Sequence, residues 1–341
     1  MKTKFFSIAT FVLAGLLAAA SSAHAGTLDD VKQRGTLKCG ISGDLPAFAY
    51  LDSEGNWKGF DVDYCRAYAA AVLGSADKVE LVPITWNQIF TALGSGAVDV
   101  LSRSVTYTIQ RDTQLGINFA PPNMYTGQGF LVRKDSGVEK VADLDGATIC
   151  VLSGSVTERI LADYFKSHGM SFKPVAIESD AGAYAAFQHG RCDAVTQETI
   201  TMGIVRASFK NPEESFLLPE VIAKSYEAPV VREGDDQWTD IISWVHYALV
   251  TAEELGLNQG NIEDQVKNSD DLNVMTFVGK SGDIGSKMGL SNDWTVDVIR
   301  DVGNYGDIYS RNLGEKAGLN VPRGMNDLYE NGGLLFAPSW F

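Results

Sequence analysis

Two stretches of the chain share one pattern of apolar and polar positions. In each, the apolar positions of a helix end near a glycine, and a short apolar strand that opens with Asp follows. A polar residue stands five positions after that Asp. The two copies are Ala92–Val100, followed by Ser104, and Ala186–Ala194, followed by Glu198. Because ligands bind outside the carboxyl ends of parallel strands, the repeat predicts two similar lobes whose polar loops face a common cleft.

Strand and helix patterns alternate on both sides of this repeat. The first unit has predicted strands at 37–41, 79–82 and 98–101, with helices from about 62 to Gly74 and over 86–93 between them. The second unit has predicted strands at 148–152, 175–177 and 192–196, with helices over 156–168 and 181–189 between them. This β-α-β-α-β order predicts parallel sheets covered by helices.

Two apolar, β-prone segments flank the second unit, namely 127–132 and 227–231. They predict paired strands that cross between the lobes. We therefore expect an α/β fold with two Rossmann-like lobes joined by two crossing strands. Residues 26–126 and 232–341 are expected to form lobe 1, and residues 127–231 to form lobe 2 with the hinge strands.

The C-terminal part must then return to the first lobe as an extended helical region. Helices are predicted over 238–255 and 294–303. The glycine-rich segment 280–287 predicts a loop, and 324–341 an irregular surface-packed tail.

Residues 1–25 are predicted to be a cleavable signal peptide. Lys2 and Lys4 precede an apolar run from Phe5 to Ala20, and Ala23-His24-Ala25 forms an Ala-x-Ala cleavage site. A membrane anchor is the alternative, but the run is shorter than the roughly 20 residues that span a bilayer. The formal net charge of −15 argues against nucleic acid as a partner, because such binding needs a clustered basic face.

All four cysteines follow the predicted signal peptide, so they reach an oxidising compartment where pairing is the default. Three connectivities are possible. Each lobe holds two of the cysteines, which predicts Cys39 with Cys65 and Cys150 with Cys192. A metal site is the alternative, but no Cys-x-x-Cys or nearby His completes a tetrahedral set, so we predict none.

Candidate ligand-binding groups follow the predicted strands. The segment 102–112 is rich in hydroxyls before Arg111, and a guanidinium can hold a carboxylate through two parallel hydrogen bonds. The alternative is a capped helix start, with Arg111 paired to Asp112 or solvated. The segment 153–155 opens a predicted helix, whose N-terminus favours an anion. An ordinary N-cap is the alternative there.

Several segments in combination identify a family. The chain resembles the type 2 periplasmic substrate-binding proteins of polar amino-acid ABC transporters, and among them the longer general L-amino-acid-binding members. The resemblance covers nearly all of the predicted mature chain. It rests on the segments 37–40, 59–66 (GFDVDYCR), 106–112 (TYTIQRD), 190–193 (GRCD) and 318–326 (GLNVPRGMN).

The resemblance implies a role for each candidate residue. Arg111 and the Thr106 hydroxyl would bind the α-carboxylate of an amino acid from the first lobe. Ser155 and the Val156 amide would bind the same carboxylate from the second lobe. The Ser104 carbonyl would accept from the α-ammonium.

Glu198 would complete the ammonium site. The family more often has Asp at this position, and the longer side chain could shrink the pocket or alter ligand choice. A solvated charge at the end of a strand is the alternative for Glu198.

The remaining implied contacts surround the ligand's side chain. Trp86, Phe48 and Leu45 would form apolar walls, whereas Leu152 and Gln197 would face the side chain. Ordinary core packing is the alternative for the three wall residues.

We therefore expect a periplasmic, monomeric receptor that closes on an L-amino acid by hinge motion and needs no cofactor. It would deliver the ligand to an inner-membrane ABC permease and its ATPase. The alternatives are a periplasmic enzyme on the same fold, such as a dehydratase or a peptidoglycan-cleaving module, and a sensor without transport. An enzyme would need a general acid or base, and none of the histidines falls on a predicted cleft loop, which leaves Glu198 as the candidate base. The preferred amino acid is not determined by the sequence.

Overall fold

A computed structural model describes residues 26–340, so the predicted signal peptide at 1–25 lies outside the described residues. The strands are β1 (Leu37–Ile41), β2 (Tyr50–Leu51), β3 (Trp57–Lys58), β4 (Val79–Pro83), β5 (Val100–Leu101), β6 (Ile117–Phe119), β7 (Met124–Arg133), β8 (Thr148–Leu152), β9 (Lys173–Ile177), β10 (Ala194–Glu198), β11 (Ser215–Leu217), β12 (Ala223–Glu227) and β13 (Val230–Arg232).

The α-helices cover both sheets and extend into the C-terminal region. They are α1 (Thr27–Arg34), α2 (Phe60–Leu73), α3 (Ile89–Gly94), α4 (Ile109–Gln114), α5 (Val156–Ser167), α6 (Asp180–Gln188), α7 (Thr199–Ala207), α8 (Asp236–Glu254), α9 (Ile262–Asn268), α10 (Leu272–Phe277), α11 (Ile284–Lys287), α12 (Trp294–Asp301) and α13 (Tyr305–Asn312). Within 26–340, no helix is long and apolar enough to cross a bilayer.

The first lobe is built on a five-stranded sheet with the order β4-β1-β5-β13-β6. The pairs of β1 with β4 and with β5 are parallel, as the β-α-β-α-β pattern predicted. Strand β13 is antiparallel to both β5 and β6, because it comes from the returning part of the chain.

The second lobe is built on a six-stranded sheet with the path β11-β7-β10-β8-β9. The β10–β8 and β8–β9 pairs are parallel, and β7 runs antiparallel to β10. The long strand β7 pairs on its other edge with β11 towards its end and with β12 towards its start. The fold is thus the predicted α/β arrangement of two lobes.

The chain enters the second lobe through β7 and leaves it through β12, and these strands pair from Met124↔Glu227 to Gln128↔Ala223. The prediction of two paired crossing strands is confirmed. The predicted second segment, 227–231, is wrong, since the crossing strand is β12, which ends at Glu227, and Val230 and Val231 belong to β13 in the sheet of the first lobe. Pro229 lies in the break, and proline has no N–H to continue a ladder.

The C-terminal region packs against the first lobe. Helix α12 contacts α2 and α8, and α13 contacts the same two helices. Trp294 and Tyr305 are fully buried in this core. The predicted loop at 280–287 was wrong in part, because a single turn of helix, α11, begins at Ile284.

The C-terminal tail also reaches the first crossing strand. The buried side chain of Asn326 accepts a hydrogen bond from the Tyr125 backbone N–H at 2.6 Å and donates one to the Tyr125 carbonyl at 2.9 Å. This amide therefore satisfies both backbone groups of a residue at the start of β7.

Both predicted cysteine pairs are present as disulfides. The Cα atoms of Cys39 and Cys65 are 5.8 Å apart, and those of Cys150 and Cys192 are 5.6 Å apart. Each bridge lies within one lobe, so neither restrains movement of one lobe against the other.

Candidate functional site

A small cavity lies where loops from the ends of both sheets meet. Its volume is about 40 Å³, which has room for a few water molecules. We call it the inner cavity, and it is lined by Leu45, Trp86, Arg103, Ser104, Thr106, Leu152, Ser155, Thr157, Asp180, Gln197, Glu198, Thr201 and Glu227.

A larger cavity of about 580 Å³ adjoins it and shares Trp86 and Ser155 with it. We call it the outer cavity. Its lining includes Arg111 and Val156, together with Phe90, Leu115 and Arg159.

The two lobes touch each other beside these cavities. The indole N–H of Trp86 donates to the Gly154 carbonyl at 3.4 Å. Arg159 of the second lobe donates to the Gln110 side chain of the first. The lobes therefore contact each other in a closed arrangement, in which the inner cavity has no room for a solute larger than a few water molecules.

Arg111 occupies the first turn of α4, where Thr108 caps the helix by accepting from the Arg111 backbone N–H at 3.2 Å. Its guanidinium donates to the Thr106 carbonyl at 2.7 Å and lies 5.1 Å from the Trp86 ring centre. The capped helix start predicted as the alternative is thus present. Pairing with Asp112 is not, because no ion pair to Arg111 occurs within residues 26–340.

The Arg111 side chain is also shielded from water, with a relative exposure of 8%. Burial lowers its pKa to about 10, since the charged form loses hydration without an acidic neighbour to replace it. A buried cation of this kind gains more from a carboxylate than a solvated one does.

The loop after β5 approaches the cavity in an unusual conformation. Ser104 has φ 49°, in the left-handed region, and its hydroxyl donates to Asp61 Oδ2 at 3.1 Å. Non-glycine residues rarely adopt this conformation, and it persists where the surroundings hold it in place. Thr106 forms an isolated antiparallel bridge with Glu227, which fixes the loop against the end of β12.

Glu198 is the last residue of β10 and is buried, so the alternative of a solvated charge is wrong. Its Oε2 atom has no hydrogen-bond partner among the described residues 26–340. Burial raises the pKa of Glu198 to about 7, and the nearby Ser225 hydroxyl opposes this shift. Such a carboxyl is suited to a ligand that brings a positive charge.

Two further buried carboxyls belong to this region: Glu227 lies close to Glu198, and Asp61 acts on Glu227. Burial, together with the charges of Glu198 and Asp61, raises the pKa of Glu227 well above its usual value. Burial raises the pKa of Asp61 to about 7, and its contact with Ser104 opposes the shift. Glu198 and Glu227 therefore give the inner cavity an end that is rich in buried carboxyl groups.

Ser155 is the N-cap of α5, as its alternative predicted, and it also lines both cavities. Its hydroxyl accepts from the Glu158 backbone N–H at 3.1 Å and donates to the Leu152 carbonyl at 2.6 Å. The N-terminal end of α5, which favours an anion, thus faces the space between the lobes.

The structure brings eight of the eleven predicted residues to the inner cavity: Leu45, Trp86, Ser104, Thr106, Leu152, Ser155, Gln197 and Glu198. Arg111 and Val156 line the outer cavity instead. Phe48 lines neither one; it is 1% exposed and packs edge-on against Phe60, with ring centres 6.2 Å apart.

Sequence reasoning missed five residues of the inner cavity, namely Arg103, Thr157, Asp180, Thr201 and Glu227. Arg103 stood next to a predicted residue in the loop after β5. Asp180 begins a helix after a predicted strand, where cleft residues are expected. Glu227 closes the second crossing strand, and its position depends on the pairing with β7.

The histidines of the described chain lie away from both cavities, as predicted. His246 is buried, and its Nδ1 lies 2.9 Å from the hydroxyl oxygen of Tyr64. His168 and His189 are exposed and follow the C-terminal ends of α5 and α6.

Residues 37–257 match the family of bacterial extracellular solute-binding proteins, family 3. A relative from Rhizobium johnstonii, the general L-amino acid-binding periplasmic protein AapJ, is 48% identical over 99% of both chains. The glutamate/glutamine/aspartate/asparagine-binding protein BztA of Rhodobacter capsulatus is 44% identical over 99% of this chain and 98% of its own.

A solved structure shares the same fold at high similarity. It is an ABC transporter periplasmic binding protein from Brucella ovis with glutathione bound, 43% identical, with a TM-score of 0.90 over 93% of this chain and 100% of that one. Two lobes around a buried polar cleft define a solute-binding receptor. This chain belongs to the bacterial extracellular solute-binding proteins of family 3.

Proposed function

We propose that this protein is a periplasmic receptor that captures an L-amino acid between its two lobes and delivers it to an ABC importer. The observation that carries the proposal is a pair of buried, opposite charges on different lobes. Arg111 has no acidic partner within the described chain, and Glu198 has an unpartnered carboxylate oxygen. An amino-acid zwitterion supplies a partner for both.

The two charges would bind the two ends of one ligand. Arg111, Thr106, Ser155 and the Val156 amide would receive the α-carboxylate, and Glu198 with the Ser104 carbonyl the α-ammonium. The inner cavity is small in the closed arrangement, so ligand entry would be coupled to separation of the lobes. Because Arg111 faces the outer cavity, helix α4, which carries Arg111, would also have to shift towards the ligand. Opening would be a hinge motion at β7 and β12, between a first lobe of residues 26–126 and 232–341 and a second lobe of residues 127–231.

The cellular setting follows from the same proposal. The predicted signal peptide at 1–25 would direct export and be removed, the two disulfides would form in the periplasm, and the receptor would act as a monomer. The closed form would dock on an inner-membrane permease whose ATPase drives import.

Thermal shift with the mature protein tests the ligand class, because a ligand that binds only the folded state raises its melting temperature. The panel is the twenty L-amino acids, with D-amino acids and sugars as controls. Glutathione is included, because the outer cavity gives room for a ligand larger than an amino acid. No shift from any amino acid, in protein freed of carried-over ligand, would overturn the proposal.

Arg111→Ala tests the carboxylate site. We expect a loss of affinity of about thirtyfold or more by titration calorimetry, since truncating one partner of a buried, hydrogen-bonded charge pair costs about 2–5 kcal/mol. Without ligand the variant should be at least as stable as the parent, because an unpaired buried cation has been removed. Arg191→Ala is the control, since that arginine is exposed and lines neither cavity. Unchanged affinity in Arg111→Ala would refute the assignment.

A further inference from the structure

The inner cavity contains polar groups that the α-carboxylate and α-ammonium contacts leave unused. Arg103 follows β5 and is only 6% exposed. Its Nε donates to the Ile84 carbonyl at 2.9 Å, and its guanidinium carbon lies 5.2 Å from the centre of the Trp86 ring. These contacts hold the guanidinium in place. Its two terminal nitrogens donate no hydrogen bond within residues 26–340, and the side chain lines the cavity.

Asp180 contributes a fixed acceptor to the same cavity from the second lobe. It is the first residue of α6 and is 6% exposed. Its Oδ1 accepts from the Gln197 amide at 2.8 Å, which fixes the carboxylate, while its Oδ2 accepts no hydrogen bond within the described chain. Arg103 and Asp180 influence each other's charge but do not form an ion pair within 4.0 Å.

The cavity therefore holds a donor and an acceptor of opposite charge, on different lobes, that do not satisfy each other. Leu45 and Leu152 line the same cavity and supply apolar surface beside them. A group that fits between them must accept from the guanidinium and donate to the carboxylate.

We propose that Arg103, Asp180 and Gln197 form a side-chain subsite that selects a terminal carboxamide, as in L-asparagine or L-glutamine. The carboxamide oxygen accepts from Arg103, and its NH₂ group donates to the free oxygen of Asp180. This inference rests on the proposed function, because it takes the α-groups of the ligand to be bound at Arg111 and Glu198.

The charges disfavour the alternatives. An ionised carboxylate on the ligand's side chain is attracted by Arg103 but repelled by the carboxylate of Asp180. A cationic side chain is attracted by Asp180 but repelled by Arg103. An apolar side chain leaves both buried groups unpaired. A site built to hydrogen-bond a ligand group rejects an analogue that lacks it, because the buried partners then remain unsatisfied.

Titration calorimetry at pH 7.5 with L-glutamine, L-asparagine, L-glutamate, L-aspartate, L-alanine and L-leucine tests the subsite. We expect one of the two amides to bind most tightly, at least tenfold more tightly than the acid of the same length and than alanine. In Asp180→Asn, the ratio of amide to acid affinity should move at least tenfold towards the acid, while alanine affinity changes little. Asp44→Asn is the control, because Asp44 acts on both Arg103 and Asp180 without lining the cavity.

A pH series on the parent protein keeps the test independent of any variant's folding. The charged and titratable groups that act on Asp180 or respond to its charge are Arg103, Asp44, Tyr184 and Glu227. Burial raises the pKa of Asp180. Glutamate should therefore gain on glutamine as the pH falls, since protonated Asp180 no longer repels an acidic side chain. Titration of Glu198 cancels in this ratio, because both ligands carry the same α-ammonium.

The outcomes separate this inference from the proposed function. Amino acids that bind through their α-groups with no preference for amides would overturn the subsite and leave the receptor intact. A parent protein that prefers glutamate to glutamine at pH 7.5, or an Asp180→Asn variant that loses affinity equally for all ligands, would also overturn it. If no amino acid binds, the proposed function fails first and the subsite fails with it.

Discussion

Replacing Glu198 with Gln should make the ligand-free protein more stable at neutral pH and weaken ligand binding at the same time. Glu198 is buried at the end of β10 with one oxygen unpartnered. Gln is nearly isosteric and carries no charge, so the substitution removes the charge with little change in packing.

The size of the effect follows from the pKa. Burial raises the pKa of Glu198 from 4.5 to about 7. Each pKa unit corresponds to about 1.4 kcal/mol, so the ionised carboxylate costs the ligand-free fold on the order of 3 kcal/mol.

The sign of the pH dependence is also fixed. The folded protein binds this proton more tightly than the unfolded chain does, so Glu198 has no effect on stability below pH 4.5. Its destabilising effect grows as the pH rises from 4.5 to about 7 and is complete above that. Ligand binding has the opposite dependence, because an α-ammonium needs the ionised form. Affinity should therefore fall as the pH drops below 7.

Chemical denaturation of both ligand-free proteins between pH 4 and 8 measures the difference in their free energies of unfolding. Asp61 titrates in both proteins, whereas the charge of Glu198 also raises the pKa of Glu227, so the difference reports Glu198 together with its coupling to Glu227. We expect parent and variant to diverge above pH 4.5, with Gln the more stable by about 3 kcal/mol at pH 8. Calorimetry should give a flatter pH dependence of affinity for the variant. A difference in stability that does not vary with pH would refute the reasoning.

Two further predictions concern the scaffold. Asn326→Ala should lower the free energy of unfolding by on the order of 3 kcal/mol, because two backbone groups of Tyr125 lose their partner. Asn331→Ala is the control, because Asn331 is exposed. An equal loss of stability in the two variants would contradict this prediction. Gly59→Ala should abolish folded expression, because its φ is 131° and a Cβ would lie 2.1 Å from a carbonyl oxygen. Gly55→Ala, with open space around it, should fold, as circular dichroism would show; a folded Gly59→Ala would contradict the clash.

Local patterns in the sequence predicted helices and strands well where the apolar residues followed a single helical or strand spacing. Strand β8 has the predicted bounds, and helix α5 ends within a residue of the prediction, because apolar runs and alternating faces are local signals. Strand β5 is shorter than predicted, and the predicted helix at 86–93 begins as a 3₁₀ turn over Trp86–Gln88. Boundaries of this kind depend on neighbouring strands and loops.

The candidate site could likewise be predicted only in part from the sequence. The sequence determined which loops follow the ends of the strands, because the repeated helix–strand pattern indicates parallel strands. This was enough to identify Ser104 and Glu198 as candidates. The family resemblance supplied their expected roles.

Only the tertiary structure decided which groups share a cavity and which of their charges are buried without a partner. It buried Phe48 in the core, turned Arg111 towards the outer cavity, and brought Arg103 and Asp180 from different lobes to one space. Burial and unmet hydrogen bonds depend on the packing of segments far apart in the chain, and the pattern of a single segment does not contain that information.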